Sequence, residues 1–128
     1  MKDEFKKTLK TILVADDDEV IRTFIKTSLE RAGYQIVEAI DGEDAIKKFL
    51  EHKDNIQLII IDVIMPKTYG KEVYEAIKKV RPDIKVIFTS GYEADFIFKK
   101  EVLEEGLDLI LKPFLPKVLL ERVGEILK

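Results

Sequence analysis

The sequence contains no cysteine, so disulfide bonds cannot contribute to its stability. It also has no apolar stretch as long as a membrane-spanning helix, and its first ten residues, MKDEFKKTLK, lack the apolar run of a secretory signal. These three absences predict a cytoplasmic protein that makes no contact with a membrane.

An excess of charge of one sign is absent as well. The 22 Lys and Arg residues nearly balance the 25 Asp and Glu residues, which leaves a net charge of -3. Because proteins hold nucleic-acid phosphates with a concentrated positive field, this balance disfavours direct binding to nucleic acid.

No repeat, low-complexity tract or Pro/Gly-rich linker divides the chain. Its 128 residues are close to the commonest size of one domain, and an apolar content of 46% can supply a single core. We therefore expect one domain over residues 1–128, in which residues 1–10 form a charged lead-in and the core covers about 10–128.

Short apolar runs rich in Ile and Val alternate with longer segments of helical period. This alternation is typical of βα units and predicts an α/β fold with a doubly wound parallel sheet. The five strands are expected at residues 11–15, 35–39, 57–62, 84–90 and 107–111. The run from Leu58 to Ile61 is apolar on both faces, which predicts the central strand of the sheet.

The segments between the strands carry recognisable helix ends. Gly33 is placed to end the first helix in a left-handed conformation, Asp41 can cap the second helix, and Pro82 stops the third. The fourth helix is expected at about 93–103 and the fifth at about 116–127.

Acidic residues follow the first and third strands. Asp16 and Asp17 leave the first strand, and Asp62 ends the third. If these strands are neighbours in a parallel sheet, the three carboxylates converge at its carboxyl edge, where they repel one another unless a cation joins them. This arrangement predicts a site for a hard divalent ion and phosphoryl chemistry.

An acidic run such as DDDE is more often a solvated turn and helix cap, and this is our interpretation of Asp18 and Glu19. Asp62 is different, because an acid that directly ends four apolar residues is hard to explain as an ordinary surface residue.

Two further strand ends are polar. Thr89 and Ser90 end the fourth strand, and Lys112 follows the fifth, so a hydroxyl and an ammonium group are expected beside the acids.

Four motifs occur in order along the chain: VADDDE, LIIIDVIMPKTYG, VIFTSGY and LILKPF. In this order and spacing, the sequence resembles the receiver domains of two-component response regulators, such as chemotaxis regulators, over about residues 10–128. The VIFTSGY form is similar to receivers of hybrid histidine kinases. The resemblance implies a flavodoxin-like (βα)5 fold with strand order 2-1-3-4-5.

The resemblance also implies roles for the acidic residues. Asp62 would be the phosphoacceptor that receives a phosphoryl group from a histidine kinase or a histidine phosphotransfer protein. The Mg²⁺ ligands would be Asp16, Asp17 and Asp62 together with the backbone carbonyl of Ile64.

For the other strand ends, the resemblance assigns Lys112 to a phosphoryl oxygen and suggests a cis peptide bond between Lys112 and Pro113. Ser90, followed by Gly91, matches the hydroxyl position of the family better than Thr89 does. Strand alternation sends these two hydroxyls to opposite faces, so only one of them can turn toward the phosphoacceptor.

One position departs from the pattern of the family, and two others bear on the lifetime of the phosphorylated state. Leu109 replaces the usual aromatic residue three positions before the lysine, which argues against an aromatic rotamer switch. Ile64 and Tyr92 occupy the positions two residues after the phosphoacceptor and the hydroxyl, where a side chain can orient a hydrolytic water. Because Ile64 cannot form hydrogen bonds and Tyr92 is bulky, we expect slow autodephosphorylation.

Two other functions remain open from the residues. Asp16 and Asp18 have the spacing of a haloacid-dehalogenase-like phosphatase, which would be phosphorylated on Asp16, although the chain lacks room for a cap domain. A flavodoxin-like binding module shares the architecture, but it needs a hydroxyl- and glycine-rich phosphate loop where this chain has carboxylates.

Apolar residues near the C-terminus exceed the needs of one inward face, namely Phe96, Phe98, Leu120 and Leu127. Most of them are expected in the core. The alternative is a contact surface formed by the fourth helix, the fifth strand and the fifth helix, which could support a homodimer.

Overall fold

The structure, a computed structural model, describes residues 10–91 and 96–128. The predictions for Tyr92, for a start of the fourth helix at Glu93 and for the side chains of Phe96 and Phe98 lie outside the described residues, as does most of the charged lead-in. None of the helices in the described ranges has the length and apolar character that crossing a membrane requires.

Seven strands and five helices follow one another within the described residues. In order they are β1 (Thr11–Ala15), α1 (Glu19–Arg31), β2 (Gln35–Ala39), α2 (Gly42–His52), β3 (Ile56–Asp62), β4 (Ile64–Met65), β5 (Thr68–Tyr69), α3 (Gly70–Val80), β6 (Lys85–Ser90), α4 (Phe96–Glu104), β7 (Asp108–Leu111) and α5 (Pro116–Ile126).

Five of the strands form one parallel sheet in the order β2-β1-β3-β6-β7. Counting these five alone gives the predicted order 2-1-3-4-5, with β3 in the centre, so the predicted α/β fold is confirmed. The winding changes direction between β1 and β3. In sheets of this kind a crevice opens at that point, outside the carboxyl ends of the strands.

Strand alternation gives the sheet two separate apolar faces. In β3, Ile59 and Ile61 belong to the core cluster that contains Phe49 of α2 and Ile77 of α3. Their neighbours Leu58 and Ile60 belong to the second cluster, which contains residues of α1 and α5. Both faces of β3 are therefore buried, as its uninterrupted apolar run predicts, and α1 and α5 cover one side of the sheet.

Helix ends follow the expected local chemistry. The Asp18 carboxylate accepts hydrogen bonds from the backbone N–H groups of Val20 and Ile21 and caps α1. Asp41 caps α2 by accepting from the backbone N–H of Asp44 at 2.7 Å. Gly33, just after α1, has a φ of 98°, the left-handed conformation predicted for it.

The sequence interpretation missed a small antiparallel hairpin directly after β3. Its strands β4 and β5 pair Ile64 with Tyr69 and Met65 with Thr68. Lys67 in the turn has a φ of 67°, a region in which glycine is favoured over other residues. Strands of two residues are too short to show a periodic pattern, which explains why they were not predicted.

Candidate functional site

A cavity of about 720 Å³ opens beyond the carboxyl ends of the central strands. Asp16 follows β1, Asp62 ends β3 and Lys112 follows β7, and all three line this cavity. Their strands bring together residues that are up to 96 positions apart in the sequence. The position agrees with the rule that open α/β sheets bind ligands where the winding changes direction.

The three acids predicted to converge do so. One carboxylate oxygen from each of Asp16, Asp17 and Asp62 can be chosen so that all three lie within 4.8 Å of one another. Asp16 is buried, Asp17 is exposed and the side chain of Asp62 is 12% exposed. The cluster is thus open to a ligand on the side of Asp17 and closed by the sheet on the side of Asp16.

Lys112 lies between the two less exposed acids. Its Nζ donates to Oδ2 of Asp16 at 2.9 Å and to Oδ2 of Asp62 at 2.8 Å. Burial opposes the charge of this ammonium group, but the two carboxylates outweigh that effect and raise the pKa of Lys112 above its usual value. Lys112 therefore remains a fixed cation that partly compensates the acidic cluster.

Burial has the opposite consequence for Asp62. It raises the pKa of this carboxyl group, since removal from water disfavours the charged form, while the hydrogen bond and charge of Lys112 act to lower it. The neighbouring Asp16 also raises it, and the backbone N–H of Ile64, which donates to Oδ1 at 3.2 Å, lowers it. The pKa of Asp62 is raised on balance, so the contact with Lys112 does not fully offset the burial of this carboxyl group.

The turn after β1 is held by its own acidic side chains. The backbone N–H of Asp18 donates to Oδ1 of Asp16 at 2.9 Å, while the Asp18 carboxylate caps α1. Asp18 thus acts as the helix cap that the sequence suggested. Asp16 keeps its second oxygen, Oδ2, for Lys112 and the cavity.

Two hydroxyl groups lie at the end of β6. Thr89 is the register partner of Asp62, and its carbonyl accepts the backbone N–H of Val63 at 2.9 Å. Ser90 is one residue further toward the cavity, whose lining includes Gly91, and both hydroxyl residues are buried. The register places both close to the acids, so the choice of Ser90 stays a prediction.

Two features near Lys112 bear on expectations from the sequence. The peptide bond between Lys112 and Pro113 is cis, as the resemblance suggested. Leu109 is half-buried and packs against the core cluster of β3, α2 and α3. An aliphatic residue therefore fills the position at which an aromatic switch would turn.

The sequence interpretation did not identify the apolar wall of the cavity. Val20, Ile21, Phe24 and Phe114 line the cavity together with the acids, and the two phenylalanine rings lie 5.8 Å apart between centroids. Val20, Ile21 and Phe24 belong to α1 and recur at helical spacing. Periodicity alone could not show that part of this stripe borders a cavity instead of the core.

The donor set of the site fits a magnesium ion. The structure brings together three carboxylates, and hard divalent cations prefer such oxygen ligands. Asp17 and Asp62 can supply oxygens at the open side, with Asp16 beneath them. The backbone carbonyl of Ile64, in β4, stays a predicted fourth contribution.

Comparison with known proteins gives a consistent result. The family model of the response regulator receiver domain matches residues 12–124. The alkaline phosphatase synthesis transcriptional regulatory protein PhoP of Bacillus subtilis is 38% identical over 120 residues, which cover 93% of this chain and 49% of that protein. The chain thus spans about half the length of this relative.

Two other relatives differ in how much of their own length the chain matches. The sensor kinase CckA of Brucella abortus is 30% identical over 92% of this chain and 12% of its own length, in agreement with the hybrid-kinase resemblance of VIFTSGY. The chemotaxis protein CheY of Thermotoga maritima is 29% identical over 93% of this chain and 98% of its own length.

A solved structure supports the same assignment. The response regulator receiver domain protein from Clostridium thermocellum superposes with a TM-score of 0.86 at 29% identity, covering 93% of this chain and 94% of that chain.

Proposed function

Because the chain belongs to the family of response regulator receiver domains, we propose that Asp62 accepts a phosphoryl group from a phosphohistidine of a partner protein with the support of Mg²⁺. Receiver domains are signalling domains that interact with histidine kinases or phosphotransfer proteins, and this partner class follows from family membership. The observation that carries the proposal is the contact of Lys112 with both Asp16 and Asp62 beside a third carboxylate.

Asp62 would act as the nucleophile. An oxygen of its carboxylate attacks phosphorus, the bond between phosphorus and the histidine nitrogen breaks, and the bonding electrons return to the imidazole ring. The product is an acyl phosphate on Asp62. Its place at the end of a strand that is buried at every residue except Gln57 supports this role, because β3 fixes the backbone of the attacking group.

The metal would be held by Asp16, Asp17, Asp62 and the carbonyl of Ile64. Bound Mg²⁺ neutralises charge on phosphoryl oxygens, since phosphoryl transfer depends mainly on positioning and electrostatics. The three gathered carboxylates support this assignment. Asp62 needs such compensation, because burial raises its pKa despite the contact with Lys112.

Lys112 would change partner during the reaction. Its ammonium group contacts Asp16 and Asp62. Once Asp62 carries a phosphoryl group, the ammonium can donate to an oxygen of that group instead, which keeps the charge paired. Ser90 would donate its hydroxyl to another phosphoryl oxygen and move the segment after β6, thereby changing a surface that a partner reads.

The two alternative functions have less support. The phosphatase alternative requires Asp18 as its acid, but this carboxylate caps α1 by accepting two backbone N–H groups. The flavodoxin-like module shares the fold, but the turn after β1 presents carboxylates, which would repel the phosphate of a flavin nucleotide. Family membership of the chain also argues against both.

The test is incubation with acetyl phosphate and Mg²⁺, followed by mass spectrometry of the intact protein. We expect the wild-type chain to gain the mass of one phosphoryl group and Asp62→Asn to gain none. Asp54→Asn serves as a control, because Asp54 is exposed just before β3 at the opposite end of that strand.

Asp54→Asn should be labelled like the wild type. Labelling of Asp62→Asn at the wild-type rate would disprove the assignment of the phosphoacceptor.

A second pair of variants tests which hydroxyl group takes part. Ser90→Ala should slow labelling by acetyl phosphate, and Thr89→Ala should not. The reverse result would transfer the role from Ser90 to Thr89.

A further inference from the structure

A network of charged side chains lies behind the acidic cluster and has no role in the function proposed above. Arg22, on α1, donates from Nη1 to the backbone carbonyl oxygen of Asp16 at 2.8 Å. Its Nε donates to Oε1 of Glu38, on β2, at 3.2 Å. One guanidinium group therefore joins the backbone of the acidic turn to a carboxylate of the neighbouring strand.

Glu38 reaches α1 because of the register of the sheet. It pairs with Val14 of β1, and paired residues in neighbouring strands point to the same face. Val14 packs in the core cluster that contains Ile25 of α1. Glu38 therefore lies on the side of the sheet that α1 covers, where the side chain of Arg22 is only 12% exposed.

The contact of Arg22 with Asp16 holds the backbone carbonyl of Asp16 and leaves its carboxylate available to the acidic cluster. The N–H of Asp16 donates to the carbonyl of Ala39 at 3.2 Å, and its own carbonyl accepts from Arg22. Because the peptide unit is planar, the direction of the Asp16 carbonyl also sets where the nitrogen and Cα of Asp17 lie. Asp17 is exposed, so packing does little to orient it.

Arginine is well suited to this position. Its fork of N–H donors can hold a carbonyl oxygen and a carboxylate at the same time, which a lysine ammonium group on a flexible stem does less well. Glu38 restrains the guanidinium from the other side. Lys26 also contacts Glu38, at 3.2 Å from Oε2, but it makes no hydrogen bond to the acidic turn in the part of the chain that the structure describes.

We infer that Arg22 and Glu38 form a positioning pair that orients the Asp16–Asp17 peptide for Mg²⁺ binding. This inference rests on the proposed function, because it assigns a purpose to the pair only if the acidic cluster holds the ion. The pair touches neither the ion nor the phosphoryl group. It acts through the backbone of Asp16.

The experiment measures the Mg²⁺ dissociation constant by isothermal titration calorimetry for the wild type, Arg22→Met, Arg22→Lys, Glu38→Gln and the double variant Arg22→Met/Glu38→Gln. Lys26→Met is the matched control, since it removes the same charge from the same helix one turn later. Urea unfolding in EDTA reports whether each variant is folded, and the rate of labelling by acetyl phosphate is followed as Mg²⁺ is raised.

Partners that orient metal ligands typically change metal affinity by about 10–100-fold when removed, so we expect Arg22→Met to weaken Mg²⁺ binding about tenfold. Arg22→Lys should fall between Arg22→Met and the wild type, and Lys26→Met should match the wild type. The double variant should bind no more weakly than Arg22→Met, because Glu38 acts through Arg22. Saturating Mg²⁺ should restore the labelling rate of Arg22→Met.

Several results would overturn the inference. If Arg22→Met is folded and binds Mg²⁺ as tightly as the wild type, the pair is a staple between α1 and β2 and nothing more. Equal weakening in Lys26→Met would show that general charge is responsible. If the wild type binds no Mg²⁺, the proposed function fails as well. If the wild type binds Mg²⁺ and Arg22→Met binds it equally well, only this inference fails.

Discussion

At the scale of single residues, Ile64 is an apolar side chain beside Asp62, the proposed phosphoacceptor. It lines the cavity, and its backbone N–H donates to Oδ1 of Asp62, but its side chain has no group that can form a hydrogen bond. A water that attacks the acyl phosphate would therefore receive no help from this position. This is the physical reason for expecting slow autodephosphorylation.

Ile64→Asn is predicted to shorten the life of the phosphorylated state. A hydrogen bond from the new amide to the attacking water contributes about 1 kcal/mol, which corresponds to a rate increase of about five- to tenfold. The measurement is the loss of the phosphoryl mass after acetyl phosphate is removed. Ile64→Val controls for bulk. Equal acceleration in both variants would show that access of water, and not its orientation, limits hydrolysis.

The sequence allowed prediction of the residues that carry charge at strand ends. Asp16, Asp17 and Asp62 converge as predicted, because parallel strands fix which residues share an edge. Arg22 and Glu38 were not predicted. In the sequence they look like ordinary charges on a helix and a strand, and their contact exists only because the register of β1 and β2 brings them together.

At the scale of secondary structure elements, the approach of α3 to β3 depends on Gly70. A Cβ atom at this position would overlap the backbone carbonyl oxygen of Asp62. The N–H of Gly70 also donates to the carbonyl of Val63 at 2.7 Å. The first residue of α3 therefore packs directly against the backbone of Asp62, and only glycine fits without displacement.

Gly70→Ala is predicted to lower both stability and labelling. Overpacking of this kind costs about 1–3 kcal/mol of unfolding free energy, and the shift of Asp62 should slow labelling by acetyl phosphate. Gly124→Ala, in the interior of α5 with open space around it, is the control. It should raise the unfolding free energy by about 0.5–1 kcal/mol and leave labelling unchanged.

Urea unfolding and the labelling rate measure these two effects separately. Wild-type stability and labelling in Gly70→Ala would contradict the close packing of α3 against β3. Loss of stability with unchanged labelling would show that the backbone of Asp62 does not depend on that contact.

The elements themselves were predictable where their pattern was long. The bounds of β1 and β2 agree with the sequence prediction, and β3 begins one residue earlier than expected, at Ile56. The hairpin of β4 and β5 escaped prediction because its strands have two residues each. Its turn at Lys67 also lacks the glycine that a positive φ usually attracts.

At the scale of the whole molecule, the burial of Asp62 makes the stability of the fold depend on pH. Burial raises the pKa of Asp62 in the folded state, so the folded protein holds this proton more tightly than the unfolded chain does. The resulting stabilisation is present at low pH and is lost as the pH rises through the raised pKa. Above it, the charged Asp62 destabilises the fold, and a bound cation would offset this effect.

Mg²⁺ is therefore predicted to stabilise the protein near neutral pH. An ion present at one hundred times its dissociation constant raises the unfolding free energy by about 2.7 kcal/mol. A thermal melt with and without Mg²⁺ should show a higher Tm for the wild type and no change for Asp17→Asn. The effect should shrink as the pH falls, because protonated Asp62 is a poor ligand. An equal shift in Asp17→Asn would indicate binding elsewhere.

The surface formed by α4, β7 and α5 stays a predicted interface. Leu120 and Leu127, two of the residues that suggested it, pack against the core cluster of α1 and α5, so their apolar character belongs to the fold. Leu103 and Leu111, in contrast, are 60% and 57% exposed, so their side chains are accessible to a partner. If they join two copies, the mass measured in solution will be twice that of a single chain.

The central claim is that the acyl phosphate forms on Asp62. Borohydride reduces an acyl phosphate on aspartate to homoserine, and peptide mass spectrometry then locates the reduced residue. After treatment with acetyl phosphate and Mg²⁺, we expect homoserine at position 62. Homoserine at position 16, or an unreduced phosphoester on Ser90, would contradict it.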